Sequence, residues 1–327
     1  MPNSDYNDIF TTTLENRTKT LADNISENNA LLTFMKNHGN IKKIDGGSKI
    51  LEELEYGEGD LSWYSGYDSI TYSPKQLFTA AEYALKLCAV PVAISGEDLL
   101  KNSGKERAIN LFDKRVENAF KTMKNKLSAA LFSDGTGSSG KEIGGLKLLV
   151  ADDPTSGTVG GINRATSGNE FWRNKSITAD SALTVQTIGK HMNDLWLKLC
   201  RNSERPDVIV ASNDMYSLFD NSLTQLQRFT DPKLAEAGFE NLKFKSAPVI
   251  FEGDHCPDKH MYFLNTKYLY LRPHKDRNME VVGGDRLAVN QDAMYRIIGW
   301  AGNMTLSNAE MQGVLIDAAS ASGSGSN

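Results

Sequence analysis

From Ile109 to Leu131 apolar side chains recur at every third or fourth position: Ile109, Phe112, Val116, Phe120, Met123, Leu127 and Leu131. That spacing makes a single apolar stripe along a helix. Upstream, Ser103-Gly104-Lys105-Glu106 has the serine-to-glutamate spacing of a capping box, and Asp134-Gly135-Thr136-Gly137 closes the segment. The helix predicted over about 104–132 has roughly 28 residues and a length of about 42 Å at 1.5 Å per residue. Its stripe is narrow and its other face is charged. Residues 101–126 hold eight basic side chains against three acidic ones, Glu106, Asp113 and Glu117. Such a helix lies across one sheet or layer and leaves its back to solvent. The basic residues Lys114, Arg115, Lys121, Lys124 and Lys126 read either as a solvated face or as a docking surface for an acidic partner.

The chain itself supplies an acidic segment. Leu51–Asp60 carries five acids, Glu52, Glu53, Glu55, Glu58 and Asp60, and no base. Trp63, Tyr64 and Tyr67 follow, and then Ile70-Thr71-Tyr72 with strand-like alternation. Acidic, aromatic and punctuated by glycine, residues 49–79 predict a long β-hairpin reaching away from the body. An isolated two-stranded hairpin is marginal in water, so these aromatics require another surface. Residues 1–50 are polar, rich in asparagine and neutral by count. Their apolar surface is too small to fold alone, apart from a short helix around Ala30–Met35. This stretch reads as an arm that becomes ordered on something else.

Residues 133–181 are rich in Gly, Ser and Thr and read as a connection at a domain boundary. Residues 182–310 read as mixed α/β. Ile188, Met192, Leu195 and Leu199 form a helical stripe, and Val208-Ile209-Val210-Ala211 a buried strand leading into a helix capped by Asn213. Pro248–Phe251, Tyr268–Leu271 and segments within 286–306 read as further strands. The Ser/Gly tail 320–327 is low-complexity and does not enter the fold.

Composition limits what such a chain can do. The 327 residues carry 36 Lys+Arg against 41 Asp+Glu, a formal charge of −5. A dedicated nucleic-acid binder is usually basic, which leaves only loose packing around a polyanion. Cys88, Cys200 and Cys256 are sparse and odd in number, which suits a reducing cytoplasm better than a disulfide framework. The N-terminus lacks a signal-peptide pattern, and no apolar run approaches the length of a membrane span.

Sequence motifs for catalysis fail on inspection. Gly135–Glu142 imitates a phosphate loop, but Glu142 stands where a Mg²⁺-ligating hydroxyl belongs, and a helix rather than a strand precedes it. His255-Cys256-Pro257-Asp258-Lys259-His260 groups ligand-type residues without a second pair, and reads as a surface turn. His38, His191 and His274 stand alone. The neighbours Asp152-Asp153 and Glu52-Glu53 point apart on any regular element, so neither makes an acid/base dyad. The expectation is a protein that is not an enzyme, with no catalytic residue, metal or cofactor.

The order of these parts resembles the tailed-bacteriophage major capsid proteins of the Hong Kong 97 type. Local wording agrees: Gly144-Gly145-Leu146, Ala151-Asp152-Asp153-Pro154, Thr158–Ile162, Phe171–Asn174, Arg205–Val210, Gly238–Phe244 and Asn308–Leu315 look like stretches of one branch of that family. The resemblance implies an α+β fold with an N-terminal arm (1–48), an extended β-hairpin E-loop (49–79) and a peripheral domain with a long spine helix (80–182). It further implies an α/β axial domain (183–300), a C-terminal return (301–319) and a tail (320–327). The implied function is a coat protein that assembles as pentamers and hexamers into an icosahedral shell around double-stranded DNA. A separate scaffolding protein and a portal are the implied partners, with weak non-specific contact to the DNA and no membrane. Assembly would occur in the bacterial host cytoplasm and the product would be the virion capsid. The implied subunit contacts pair Glu52, Glu53, Glu55, Glu58, Asp60, Trp63, Tyr64 and Tyr67 of the E-loop with Lys114, Arg115, Lys121, Lys124 and Lys126 of the spine helix. Some relatives crosslink through a lysine on this loop. Here only Lys49 and Lys75 flank it, at the base, so non-covalent shells are expected. The alternatives are an encapsulin-like compartment shell and a nucleotide-dependent enzyme built on the imperfect phosphate loop.

Overall fold

A computed structural model describes residues 30–70, 74–101, 111–223, 242–253, 255–284, 286–287 and 291–318. Along the chain come α1 (Ala30–Asn37), β1 (Lys49–Glu55), β2 (Phe78–Ala84), β3 (Lys86–Ser95), α2 (Gly96–Lys101) and α3 (Leu111–Ala130). Next are α4 (Leu146–Leu149), β4 (Thr158–Val159), β5 (Ile162–Asn163), β6 (Lys175–Thr178), α5 (Ile188–Leu199), β7 (Val208–Ala211) and α6 (Asn213–Ser222). The chain ends with β8 (Leu242–Phe244), β9 (Ala247–Phe251), β10 (His260–Leu264), β11 (Leu269–Val281), β12 (Arg286–Leu287), β13 (Ala293–Leu306) and β14 (Gly313–Ile316).

Two sheets organise the molecule. A six-stranded sheet has the order β6-β14-β10-β7-β9-β8, with β6–β14 and β7–β9 parallel and the remaining pairs antiparallel. Its strand Val208-Ile209-Val210-Ala211 is apolar without alternation because both faces are covered. Ile209 and Ala211 join the core beneath α5 and α6, while Val208 and Val210 face the larger core with Trp172 and Leu306. The second sheet is built on the 14-residue β13, which pairs β11 and β12 on one side and β3 on the other. Residues 40–44 run along β11, where the Lys42 and Ile44 amides donate to the Leu271 and Pro273 carbonyls at 3.0 and 2.9 Å.

The long helix is present over Leu111–Ala130, and the capping box at Ser103 falls outside the described residues. Its buried stripe is Phe112, Val116, Ala119, Met123 and Leu127, continued by Leu131. Phe120, expected on that stripe, is only half-buried at its margin; Ala119 sits on the centre line instead. The helix packs against β3, leaving its charged side outward, as a narrow stripe dictates.

Four expectations need correction. The predicted hairpin pairs Lys49–Glu55 with Phe78–Ala84, and the aromatic segment between them holds no described strand. The second helix of the α/β part is capped by Ser212, whose Oγ accepts from the Met215 amide, so Asn213 is its first turn and not its cap. Tyr268 lies in a 3₁₀ turn ahead of its strand. Residues 133–181 are more than a connection: Ile143, Leu146, Leu149, Val150, Val159 and Trp172 are all buried in the larger core.

Glycine explains part of that last outcome. A Cβ on Gly145 would lie 2.4 Å from the Leu131 carbonyl oxygen, so only glycine lets this segment fold back over the end of α3. The Gly145 and Leu146 amides then donate to Ser133 and Leu131 at 3.0 and 2.6 Å, using carbonyls that the helix end leaves open.

Residues 1–29 lie outside the described residues, but residues 30–37 are more settled than the polarity of the arm suggested. Ala30, Leu31, Phe34 and Met35 of α1 are buried in this chain's own larger core. The helix N-terminus is aimed at Glu252, where the Leu31 amide donates to Oε1. Burial raises the Glu252 carboxyl to about 7, outweighing the Leu31 and Ala30 amides that favour its ionised form. A carboxyl at about 7 in the folded chain and at its ordinary 4.5 when unfolded holds a proton only in the folded state between those values. This contribution to stability is therefore complete below pH 4.5 and lost as pH rises through 7. The expected loss is about 3 kcal/mol, at 1.36 kcal/mol per unit. Glu252→Gln should remove that slope. Urea midpoints of both proteins between pH 5 and 8 test it, and parallel curves would refute it.

Candidate assembly surfaces

The structure sorts the acidic segment into two roles. On β1 exposure alternates, and Glu52 points inward while Glu53 and Glu55 point out. Glu52 is buried, and its carboxylate accepts from Arg272 Nε and Nη2 at 2.9 and 3.0 Å and from Thr305 Oγ1 at 2.7 Å. It clamps the hairpin to β11 and β13 of its own chain, so the expectation that it meets another subunit is corrected. Sequence could not show this, because its partners lie 220 and 253 residues away.

Glu53 and Glu55 remain exposed on a strip with Leu51, Phe78 and Glu82, where Lys49 pairs with Glu82. Beyond the strands, Tyr56 stacks on Phe171 with centroids 4.6 Å apart, and Glu58 approaches Arg201 at 4.0 Å. Arg201 also meets Glu310 at 3.7 Å, and Asp60 pairs with Lys75. The stem of the loop is therefore tied to the body while its tip is not. Trp63 is 92% exposed, Tyr64 65%, and Tyr67 fully. Three aromatics standing in solvent on one loop are what an unmade contact looks like.

On α3, Lys114 pairs with Glu117 at 2.7 Å, and Arg115 donates to the Ala93 carbonyl at 3.1 Å near Asp98. These two are partly used inside the subunit. Lys121 and Lys124 are half-buried and have interactions of their own, whereas Lys126 is exposed. Among the described residues the basic partners of these acids are Arg272, Arg201 and Lys75, none of them on α3.

A groove of about 380 Å³ opens beside Lys126, between α3 and β3, and sequence reasoning missed it. Met123, Leu127 and Trp300 line it, together with Leu87 and Cys88. Among the described residues β3 is an edge of its sheet, and Leu87, Cys88 and Ala89 are exposed on it.

Among the described residues, the other motifs singled out in the sequence do not assemble into a site. The imitation phosphate loop follows α3, and Ser138 and Ser139 have left-handed backbone there, so no phosphate-facing helix continues from it. Cys256 is buried, and burial pushes its thiol up, away from reactivity. At His260 burial pushes the ring down, but Asp152 at 3.2 Å and the Asp258 carbonyl outweigh it, and the net shift is upward. Among the described residues no group of three or more His, Cys, Asp or Glu could hold a metal ion, and no helix is long and apolar enough to cross a membrane.

No protein-family model and no curated protein matches the chain. Solved structures do. The capsid asymmetric unit of cyanophage A-1(L) aligns with a TM-score of 0.71 at 16% identity, over 93% of this chain and 97% of that one. The capsid of the native GTA particle aligns at 0.67 and 12% identity, over 93% and 95%. The SrpI encapsulin complex from Synechococcus elongatus PCC 7942 aligns at 0.57 and 11% identity, over 96% of both chains. Likeness over nearly full length at such low identity is a likeness of fold, and this chain has the tailed-phage major capsid protein fold.

Proposed function

We propose that the chain is a major capsid protein that self-assembles into an icosahedral shell enclosing double-stranded phage DNA. The observation that carries this reading is near-complete alignment with a cyanophage capsid subunit by a chain whose own loop leaves Trp63, Tyr64 and Tyr67 in solvent. In this reading residues 49–79 are the E-loop, α3 is the spine helix, and 183–300 are the axial domain. Residues 1–48 are the arm, and 301–319 return to the peripheral domain. Glu53, Glu55, Glu58 and Asp60 of one subunit meet basic residues of α3 on a neighbour within pentamers and hexamers. Each exposed ion pair contributes only about 0–1 kcal/mol, but a closed shell repeats the contact in every subunit. Scaffolding protein, portal and weakly held DNA are the partners, assembly occurs in the host cytoplasm, and the protein performs no catalysis. The weaker alignment with an encapsulin supports the same assembly around a protein cargo as the second reading.

Electron microscopy and sedimentation of the purified protein test this. Closed shells or capsomers are expected, with or without a scaffolding protein. A folded monomer that forms no particle at high concentration in either condition would overturn the proposal. Protein cargo in place of DNA inside native particles would favour the compartment reading.

A further inference from the structure

A chain whose net charge is −5 keeps one strongly basic strip. Residues 36–49 and 267–277 hold eight Lys and Arg against two acids, Asp45 and Asp276, a local charge of +6. The two segments lie side by side, because residues 40–44 run parallel to β11 and the Lys275 amide donates to the Ile44 carbonyl at 2.9 Å. Four of the eight cations are neutralised within the chain: Arg272 by Glu52, Lys49 by Glu82, Lys267 by Glu204, and Lys275 by Asp45 at 3.2 Å. Lys36, Lys42, Lys43 and Arg277 are exposed, and among the described residues none of them has a carboxylate partner. Like charges gathered on one strip repel, and an anion laid along it removes that repulsion.

The rest of the strip narrows what that anion is. Among the described residues it exposes no large apolar side chain, so an acidic protein would find no anchor there. Its tyrosine faces are already occupied. Lys42 Nζ lies 4.2 Å from the Tyr270 ring centroid and the Arg272 guanidinium 4.9 Å, while Lys267 Nζ lies 5.2 Å from that of Tyr268. A single strand would need such faces free for its bases to stack on. What remains is attraction between fixed cations and phosphates. Leu269–Arg277 spans roughly 25 Å at about 3.3 Å per residue, and a duplex presents one phosphate charge per about 1.7 Å of its axis.

We infer that this strip is where the subunit meets the backbone of double-stranded DNA, and that it faces the interior of the shell. The inference rests on the shell reading above and deepens it, naming the face turned to the DNA and the residues that touch it. Four uncompensated cations on an otherwise acidic chain attract a duplex without immobilising it.

The full chain is titrated with a labelled duplex of about 30 base pairs, and anisotropy is followed across a salt series. The variant combining Lys42→Gln, Lys43→Gln and Arg277→Gln is compared with wild type, with circular dichroism as the folding control. Each lost phosphate contact lowers the slope of log affinity against log salt by about 0.9, so the slope should fall by about 2–3 and the affinity at low salt by roughly tenfold to a hundredfold. A control combining Lys141→Gln, Lys190→Gln and Lys198→Gln removes the same charge from exposed positions elsewhere and should keep the wild-type slope. Equal losses in the two variants would mean that bulk charge, and not the strip, holds the DNA, and would overturn the inference. Displacement of the duplex by poly-glutamate at equal charge would assign the strip to an acidic protein. Tighter binding of a single strand would contradict the covered tyrosines. Either result also overturns it.

Placement inside the shell is read from acetylation of Lys42 and Lys43, followed by peptide mass. The rate should be roughly tenfold slower in DNA-filled particles than in the same particles once emptied, because ammonium groups held at phosphates are shielded. Equal rates would overturn the interior placement and leave the shell reading intact. If no particle forms, the shell reading fails, and the salt series still decides whether the strip holds a duplex.

Discussion

Glu52→Ala is expected to destabilise the subunit by about 3–5 kcal/mol, the cost of breaking a buried ion pair. The clamp is bidentate, and both side chains are shielded: Glu52 is 9% exposed and Arg272 20%. Removing the carboxylate leaves a guanidinium facing Thr305 with nothing to neutralise it, and solvating that charge requires opening the seam between the hairpin and β11. The energetic asymmetry offers a sharp control. Replacing both partners with apolar residues, Glu52→Leu with Arg272→Met, should recover most of the loss, because no unpaired charge remains. Urea unfolding followed by circular dichroism measures both proteins. A single variant as stable as wild type, or a double variant no better than the single, would show that the clamp is not what holds the hairpin. Particle formation should fail with the single variant even where the subunit stays folded, since the stem then no longer points the loop.

Arg164→Ala is expected to cost about as much, roughly 3–5 kcal/mol, by a different route. Arg164 is fully buried, and the bonds it makes are to backbone carbonyls: Nε to Trp172 at 2.9 Å, Nη2 to Leu149 at 2.6 Å and Nη1 to Leu148 at 3.5 Å. Burial lowers its guanidinium to about 10, so the charge persists at neutral pH. The arginine fork closes the C-terminal end of α4 and fastens it to the turn that carries Trp172, whose indole in turn donates to the Val159 carbonyl at 2.9 Å. Alanine would leave a cavity and strand these carbonyls. Arg164→Lys should lose much of the same stability, because an ammonium cannot reproduce the planar fork. Hydrogen exchange localises the effect: amides of residues 146–172 should lose protection before the six-stranded sheet does. Uniform loss across both sheets would mean that this segment has no separate stability.

The elements legible in the sequence were those whose burial is dictated by local spacing. The α3 stripe, the α5 stripe and the Val208–Ala211 strand each repeat a period that one window of residues can display, and each lies where that period puts it. The aromatic run at 63–67 is legible as a segment without a core of its own, and Trp63, Tyr64 and Tyr67 stand exposed. What could not be read depended on partners distant in the chain. Glu52 looked like its neighbour Glu53, and only β13 and β11 on the far side of the fold separate their fates. Residues 133–181 looked like a linker because Gly, Ser and Thr dominate. Their few apolar members, Leu146, Leu149, Val159 and Trp172, form core only once Gly145 lets the chain turn back over α3. Phe120 lies one helical position from Ala119 and is only half-buried, because the centre line of the stripe passes through the smaller side chain. The groove was invisible for a related reason: it is defined by which edge of β13 receives β3, and no run of residues encodes that.

The tethered stem of the aromatic loop has a consequence for how subunits find one another. Residues 56–77 span the gap between β1 and β2, so the tip can stand at most roughly 35 Å from its anchorage, half the contour at about 3.3 Å per residue. Once two subunits touch anywhere along their sides, the tip of one is confined to a small volume that includes the surface of the other. Its later seating is then effectively unimolecular, at a local concentration in the millimolar range for a short tether. An individually weak docking step becomes nearly complete after first contact, and nearly absent before it. In the proposed shell, closure of a ring is therefore expected to proceed faster than its initiation.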